Sequence, residues 1–177
     1  TGIVAQSIGG GGGFASVNGN VVTQNTTLTQ GSNSGSGGRV NIIVDGSIID
    51  VGKRGNTVGV FAQSQGNSTN NSAQIINVEL AQTTFGNGSS VSGVIKADTG
   101  VVISGGANGS NGTNSVIVAN GALIEVPRGN NAILSTYGTT NVTNVGTITG
   151  GIAIGATPGF SAPAGVIYNY GGAINAT

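Results

Sequence analysis

The stretch GIVAQSIG at Gly2–Gly9 returns as GVFAQSQG at Gly59–Gly66, 57 positions further along the chain. The first copy runs into five consecutive glycines, Gly9–Gly13, and the second is succeeded by the polar run Asn67–Ser72. The strand-like sequence is therefore the constant element of the repeat within this chain. The segment after the strand need only be small, polar and able to turn. We interpret the glycine tract as the bend or loop after a strand.

A second, longer echo supports a repeat architecture. Val44–Val51 is echoed by Val118–Val126, and Arg54–Asn56 recurs as Arg128–Asn130. Both shifts exceed one coil of a solenoid, so we expect about three coils of about 20 to 25 residues in each block. This predicts about seven to nine coils and roughly 35 to 45 Å of rod. The predicted blocks of this single domain are approximately 1–58, 59–131 and 132–177.

The composition restricts the classes of protein. Charged residues make up 6% of the chain, against about 25% in typical soluble domains, and glycine fills 35 of 177 positions. The net charge is zero, which gives no electrostatic reason to expect nucleic acid as a partner. It also argues against disorder of the whole chain, which usually combines low hydropathy with high net charge. The chain begins at Thr1 without Met, and we expect it to be a piece of a longer protein.

Short β-branched runs separated by Gly, Asn, Asp and Ser predict an all-β fold. These runs are Val40–Val44, Ile75–Leu80, Val91–Lys96, Val101–Ser104, Ser115–Val118 and Asn141–Thr149. No stretch of useful length shows a helical period. The block-level repeats favour a right-handed parallel β-helix, a β-solenoid with Val, Ile, Leu and Ala facing inward and Thr, Ser, Asn and Gln facing outward. The alternative is a β-sandwich, which also has short strands at regular spacing.

Several of these stretches resemble the repetitive passenger regions of large autotransporter adhesins of Gram-negative bacteria. The resemblance is carried by AQSIGGGGG at Ala5–Gly13, NVGTITGGI at Asn144–Ile152 and VIYNYGGAIN at Val166–Asn175. It covers most of the chain and is one of repeat style. It implies a secreted, surface-displayed β-helical passenger, extracellular or at the bacterial cell surface. Such a passenger is attached to the outer membrane only through a β-barrel, whose strand series this sequence lacks.

The glycine tract also invites a cofactor hypothesis, which the surrounding sequence does not favour. Gly10–Ala15 formally satisfies the relaxed G-x-G-x-x-A pattern. That fingerprint needs a following helix and an acidic residue about 20 positions later, and the next acid is Asp45. Lys53 and Lys96 lack the frame of a P-loop, and no Asp completes a calcium-binding glycine repeat. We therefore predict no cofactor.

The absence of His and Cys from the sequence excludes Ser-His-Asp and Cys-His catalysis and any metal site built on those ligands within it. The five acids are Asp45, Asp50, Glu79, Asp98 and Glu125. Asp45 and Asp50 flank a predicted turn that leads into a strand. Asp50 with Arg54, and Glu125 with Arg128, are predicted to form loop ion pairs. We predict no catalytic residue, no metal ligand and no enzymatic activity.

The candidate contact residues are Tyr168 and Tyr170, which alternation places on one face of a strand. Two alternatives explain these tyrosines: a structural role, as a stacking ladder or an edge of the solenoid, and a sugar-binding patch. Together with the resemblance, they lead to the hypothesis of a structural and adhesive segment. Its partners would be a host or environmental surface, a polysaccharide or copies of itself. The alternatives are a carbohydrate-active β-helical enzyme and a glycan-binding module.

Overall fold

The computed structural model describes residues 2–8, 37–50, 56–65, 75–105, 112–136, 138–155 and 165–176. Within these ranges the protein is all-β, without a helix. In chain order the strands are β1 (Ile3–Ile8), β2 (Val40–Val44), β3 (Ser47–Asp50), β4 (Val58–Gln65), β5 (Ile76–Leu80), β6 (Gln82–Thr84), β7 (Ser90–Ser92), β8 (Val94–Ala97), β9 (Thr99–Gly105), β10 (Asn114–Val118), β11 (Leu123–Glu125), β12 (Asn131–Thr136), β13 (Thr140–Asn144), β14 (Thr147–Thr149), β15 (Gly151–Ile154), β16 (Ile167–Asn169) and β17 (Ala173–Asn175).

Fifteen of these strands form three parallel sheets of five strands each. Sheet 1 has the order β1-β4-β9-β12-β15, sheet 2 has β2-β5-β10-β13-β16, and sheet 3 has β3-β8-β11-β14-β17. The chain thus visits the three sheets in turn and adds one strand to each in every round. The described residues complete five such rounds. A β-sandwich is built of antiparallel sheets, and the parallel pairing does not fit that alternative.

The register of sheet 1 corrects the predicted length of a round. Ile3 pairs directly with Val60, Val60 pairs with Val101, and Ile133 and Ile152 continue the same row. The echo between β1 and β4 therefore spans one round, so the prediction of about three coils in each block, and with it seven to nine coils in all, is wrong. The extra sequence lies in the connections from sheet 1 to sheet 2, which range from positions 9–39 after β1 to positions 137–139 after β12.

Apolar and polar residues alternate along the short strands, and the burial of their side chains alternates in the same way. In β2, β5 and β10 every second side chain is buried, and the buried ones are aliphatic apart from Asn114. The inward rows of the three sheets form one continuous core, which includes Val60, Val78 and Ile124, all fully buried. In its middle strands β4 and β9, sheet 1 is also buried on its other face, where Phe61 and Val102 belong to a second apolar cluster.

Two of the predicted strands are split at a glycine. The run 91–96 divides at Gly93 into β7 and β8, and β7 pairs antiparallel with β6 to form a hairpin between sheets 2 and 3. The run 141–149 divides at Val145 and Gly146 into β13 and β14, which belong to sheets 2 and 3. At both glycines a Cβ atom would lie against backbone carbonyl oxygens of the neighbouring round. The chain therefore turns a corner where an alternating sequence alone predicts one continuous strand.

The first residue of the GIVAQSIG repeat has a packing role. By register Gly2, Gly59 and Gly100 stand in one row of sheet 1. A Cβ at Gly59 would lie against Cγ2 of Ile95 and 2.8 Å from the backbone oxygen of Gly100. Gly2 and Gly100 stand in the same relation to Ile48 and Ile124. Glycine at this row lets the isoleucines of sheet 3 pack against the backbone of sheet 1.

A buried amide links successive rounds at the entrance to sheet 2. The side chain of Asn114 is fully buried, and its Oδ1 accepts a hydrogen bond from the backbone N–H of Ile76 at 3.0 Å. Its Nδ2 donates to the backbone oxygen of Gly105 at 3.1 Å and to Oγ1 of Thr140 at 3.4 Å. These partners belong to the round before, the same round and the round after. A polar side chain is tolerated here because its hydrogen bonds are made within the protein.

Candidate functional site

Tyr168 and Tyr170 form an offset-stacked pair at the last round. Their ring centroids lie 6.2 Å apart, and the ring planes are parallel to within 5°. The two residues are 41% and 64% exposed, so much of both rings faces solvent. The prediction that both side chains lie on one face is confirmed by this stacking. We call this pair the tyrosine platform.

Backbone pairing positions the platform. Tyr168 lies in β16 and is in register with Thr143 of β13. Tyr170 comes directly after β16, and its backbone N–H donates to the carbonyl oxygen of Asn144 at 2.9 Å. Gly171 has a φ of +79°, in the left-handed region that glycine adopts readily, and it allows the chain to turn toward β17. The main chain that carries both rings is thus bonded to the preceding round.

A short asparagine ladder supports the backbone between the two rings. Nδ2 of Asn144, a fully buried side chain, donates to Oδ1 of Asn169 at 2.9 Å and to the backbone oxygen of Ala173 at 3.1 Å. Among the described residues, Oδ1 of Asn144 has no hydrogen-bond partner. The cause is the residue one round earlier in the same row, Val118, which offers no side-chain donor. Asn169 in turn donates to the backbone oxygen of Gly172 at 2.8 Å, which fixes the turn after the platform.

The C-terminal sequence that carries the platform and the described row of side chains next to Tyr168 are uncharged. Residues 129–177 contain no Asp, Glu, Lys or Arg. In the outward row of sheet 2, Tyr168 is followed by Thr143, Ile117 and Glu79, so the nearest acid of that row lies three strands away. Three strand spacings amount to about 14 Å, which exceeds the screening length of about 8 Å at physiological salt. This segregation of charge is visible in the sequence as the uncharged stretch after Arg128.

Two of the described acidic residues, Asp98 and Glu125, have partners within the fold. Oδ2 of Asp98 accepts hydrogen bonds from the backbone N–H and Oγ1 of Thr57 at 2.9 and 3.0 Å. Oε2 of Glu125 lies 2.8 Å from Nζ of Lys96, its neighbour across sheet 3. The predicted pairing of Glu125 with Arg128 is therefore wrong, because the parallel register places Lys96 directly opposite Glu125 and the ion pair forms there.

Asp45 stands at the turn between β2 and β3, which confirms the predicted turn that leads into a strand. Arg54 and the side chain of Asp50 lie outside the described residues, as does the glycine tract Gly9–Gly13. Within the described ranges, no three or more His, Cys, Asp or Glu residues cluster as metal ligands would. The same ranges contain no helix of the length and hydropathy needed to cross a membrane.

Isolated aliphatic side chains are exposed elsewhere on the outward faces. Ile43 of sheet 2 is 66% exposed and Ile49 of sheet 3 is 64% exposed, both in the first round. The hairpin adds Phe85, which comes directly after β6 and is 49% exposed. The tyrosine platform differs from them because it joins two aromatic rings in a fixed mutual orientation.

Comparisons with protein-family models, with curated proteins and with solved structures found no match to this chain.

Proposed function

We propose that this chain is a segment of a right-handed parallel β-helix that serves as a structural and adhesive part of a secreted, surface-displayed bacterial protein. The observation that carries the proposal is the recurrence of one strand from each of three parallel sheets in every round. Its resemblance to the passenger regions of autotransporter adhesins supports the same function. Attachment to a surface and self-association into fibres are the two activities that such a segment would provide.

The handedness and the stacking follow from general rules of parallel sheets. Connections between parallel strands of one sheet are right-handed in about 98% of cases. Neighbouring strands lie about 4.8 Å apart, so five rounds stack over about 20 Å, and further rounds would lengthen the stack without a change of plan. A repeat architecture of this kind gives reach at low sequence complexity, which suits a projecting surface protein.

Cross-linking tests the stacking of rounds. The chain has no cysteine, so engineered pairs report without background. Asn77 and Ser115 are register neighbours on sheet 2, and we expect the pair Asn77→Cys with Ser115→Cys to form a disulfide on mild oxidation. The control pair, Asn77→Cys with Asn141→Cys, spans two strand spacings, about 9.6 Å, which exceeds the usual limit of about 7 Å between Cα atoms. Equal disulfide yields in both pairs would contradict the β-helix.

The adhesive role is supported by the surface chemistry. With a net charge of zero, copies of the chain do not repel one another or most surfaces. The outward row of sheet 2 that includes Asn41, Asn77 and Ser115 is joined by hydrogen bonds from Asn77 to Asn41 and from Ser115 to Asn77, both at 2.9 Å. Such rows offer many weak, regularly repeated polar contacts, and many weak contacts in parallel give strong attachment.

Surface display tests the adhesive role. The chain is fused to a heterologous anchor on a non-adherent bacterium, and the same anchor without the chain is the control. We expect more cells to remain on protein-coated, polysaccharide-coated or bare glass under flow, or faster sedimentation of the culture by self-association. Attachment and sedimentation equal to those of the anchor alone would overturn the proposal. Release of sugars from polysaccharides by the purified chain would favour the enzyme alternative instead.

A further inference from the structure

We propose that the tyrosine platform, Tyr168 with Tyr170, binds a neutral polysaccharide built of pyranose rings. This inference rests on the proposed adhesive function and names the ligand of one surface within it. Three observations carry it: the parallel stacking of the two rings, their exposure, and the absence of charged residues from the sequence after Arg128.

The rings have the geometry of a stacking surface. The two rings stack with their planes parallel to within 5°, so the ring faces that the stack leaves uncovered are parallel to one another, and the backbone bond from Tyr170 to Asn144 holds the turn that carries them. The face of an aromatic ring is electron-rich, so the C–H groups on the flat side of a pyranose ring pack favourably against it. Tyrosine adds a hydroxyl at the ring edge that exchanges hydrogen bonds with sugar hydroxyls. Little conformational entropy is lost on binding, since each side chain has two χ angles.

The absence of charge selects among glycans. A polysaccharide with carboxylate or sulfate groups needs cationic partners, and the sequence after Arg128 has none. A hydroxyl group, which suits neutral sugars, occupies the neighbouring position, because Thr143 lies beside Tyr168 in the next strand. Exposed Val145, in the turn one round earlier, extends the apolar part of the surface.

The test is frontal affinity chromatography of the whole 177-residue chain on columns that each carry one immobilised polysaccharide. The neutral set comprises a β-glucan, an α-glucan, xylan and galactomannan, and the charged set comprises alginate and polygalacturonate. The variants are Tyr168→Ala with Tyr170→Ala, the conservative pair Tyr168→Phe with Tyr170→Phe, and Ile43→Ala. Ile43 is a matched control because it is an equally exposed apolar residue of the same sheet, four strands away.

We expect retardation by at least one neutral polysaccharide and by neither charged one. The double alanine variant should bind that polysaccharide at least about tenfold more weakly, a loss of about 1.4 kcal/mol. The phenylalanine pair keeps the aromatic faces and loses only the hydroxyls, so it should weaken binding less than the alanine pair does. Ile43→Ala should stay within about threefold of the parent chain. Circular dichroism should show unchanged strand content in all variants, because the substituted side chains are largely exposed.

Three results would overturn the proposal: no binding of any neutral polysaccharide, unchanged binding by the double alanine variant, or preference for a charged polysaccharide. The surface-display assay separates this failure from failure of the adhesive function. If displayed double alanine variants attach to surfaces as the parent chain does, the platform is not the ligand site and the adhesive proposal stands. If the parent chain itself attaches to nothing, the adhesive proposal fails as well.

Discussion

Replacement of Asn114 by alanine should be among the most destabilising single changes in sheet 2. Its side chain is fully buried and makes hydrogen bonds to the backbone of Ile76 and Gly105 and to the side chain of Thr140. Alanine at this position makes none of them. Because Ile76 is itself fully buried, water cannot replace the lost acceptor of its N–H group.

The magnitude follows from the three bonds. A buried donor left without an acceptor costs about 1 to 3 kcal/mol, and each further lost hydrogen bond costs about 0.5 to 1.5 kcal/mol. The bond to Thr140 is long, at 3.4 Å, and that hydroxyl keeps its contact with Ser135 at 2.6 Å. We therefore expect Asn114→Ala to lower the free energy of unfolding by roughly 2 to 4 kcal/mol.

Asn77→Ala is the matched control. Asn77 lies one strand away in sheet 2, and its amide also makes side-chain hydrogen bonds, to Asn41 and Ser115. Asn41 is exposed, and Asn77 and Ser115 are only partly buried, so water can replace the bonds that are lost, and the expected change is below about 0.5 kcal/mol.

Urea unfolding followed by circular dichroism measures both variants. With a slope of about 2 kcal/mol per molar urea, a loss of about 3 kcal/mol moves the midpoint by about 1.5 M for Asn114→Ala. The midpoint of Asn77→Ala should move by less than about 0.3 M. If the two midpoints agree within about 0.3 M, burial of the amide does not govern its contribution and the reasoning is refuted.

Three further predictions use the same measurement. Gly59→Ala should lower the free energy of unfolding by about 1 to 3 kcal/mol, because its Cβ would clash with Ile95 of sheet 3. Gly46→Ala is the control: a Cβ there has no atom within 4 Å, so the change should be neutral or slightly stabilising. Equal effects of the two changes would refute the packing role of the glycine row. Asn144→Asp keeps the size of the side chain but replaces two donated hydrogen bonds by contacts between oxygen atoms. It should lower the free energy of unfolding by at least about 2 kcal/mol at neutral pH. A variant as stable as the parent chain would contradict the asparagine ladder. The ion pair of Lys96 and Glu125 is exposed, so a double-mutant cycle should give a coupling energy below about 1 kcal/mol, and salt at about 1 M should abolish it. A larger coupling energy that resists salt would contradict an exposed ion pair.

The strands of the fold could largely be predicted from the sequence because their signals are local. The run 40–44 has the bounds of β2, and the echo of GIVAQSIG in GVFAQSQG corresponds residue by residue to the pairing of β1 with β4. The number of rounds could not be predicted in this way. The shift between two copies of a repeat gives only a number of residues. Because the connections between sheets vary in length while the strand register stays constant, that number does not give the number of rounds.

Contacts between residues that are far apart in the chain could not be predicted from the sequence either. Lys96 and Glu125 lie far apart along the chain and become neighbours only through the register of β8 with β11, whereas Arg128 is near Glu125 only in sequence. The sequence did not predict the hairpin because the run 91–96 has the composition of one strand, and the corner at Gly93 is set by the backbone of a different round. The stacking of the two tyrosines was predictable, since residues two positions apart in a strand share a face.

The unequal connections from sheet 1 to sheet 2 make this corner tolerant of new sequence. β1 ends at Ile8 and β2 begins at Val40, whereas only positions 137–139 separate β12 from β13, and both pairs of strands keep the common register. A tenfold longer connection costs only about 2 kcal/mol in loop closure. Foreign peptides grafted at this corner in successive rounds would be displayed in a column, with anchor points about 4.8 Å apart. Natural variants could diversify the same column by insertion and deletion, while the rows of the core remain unchanged.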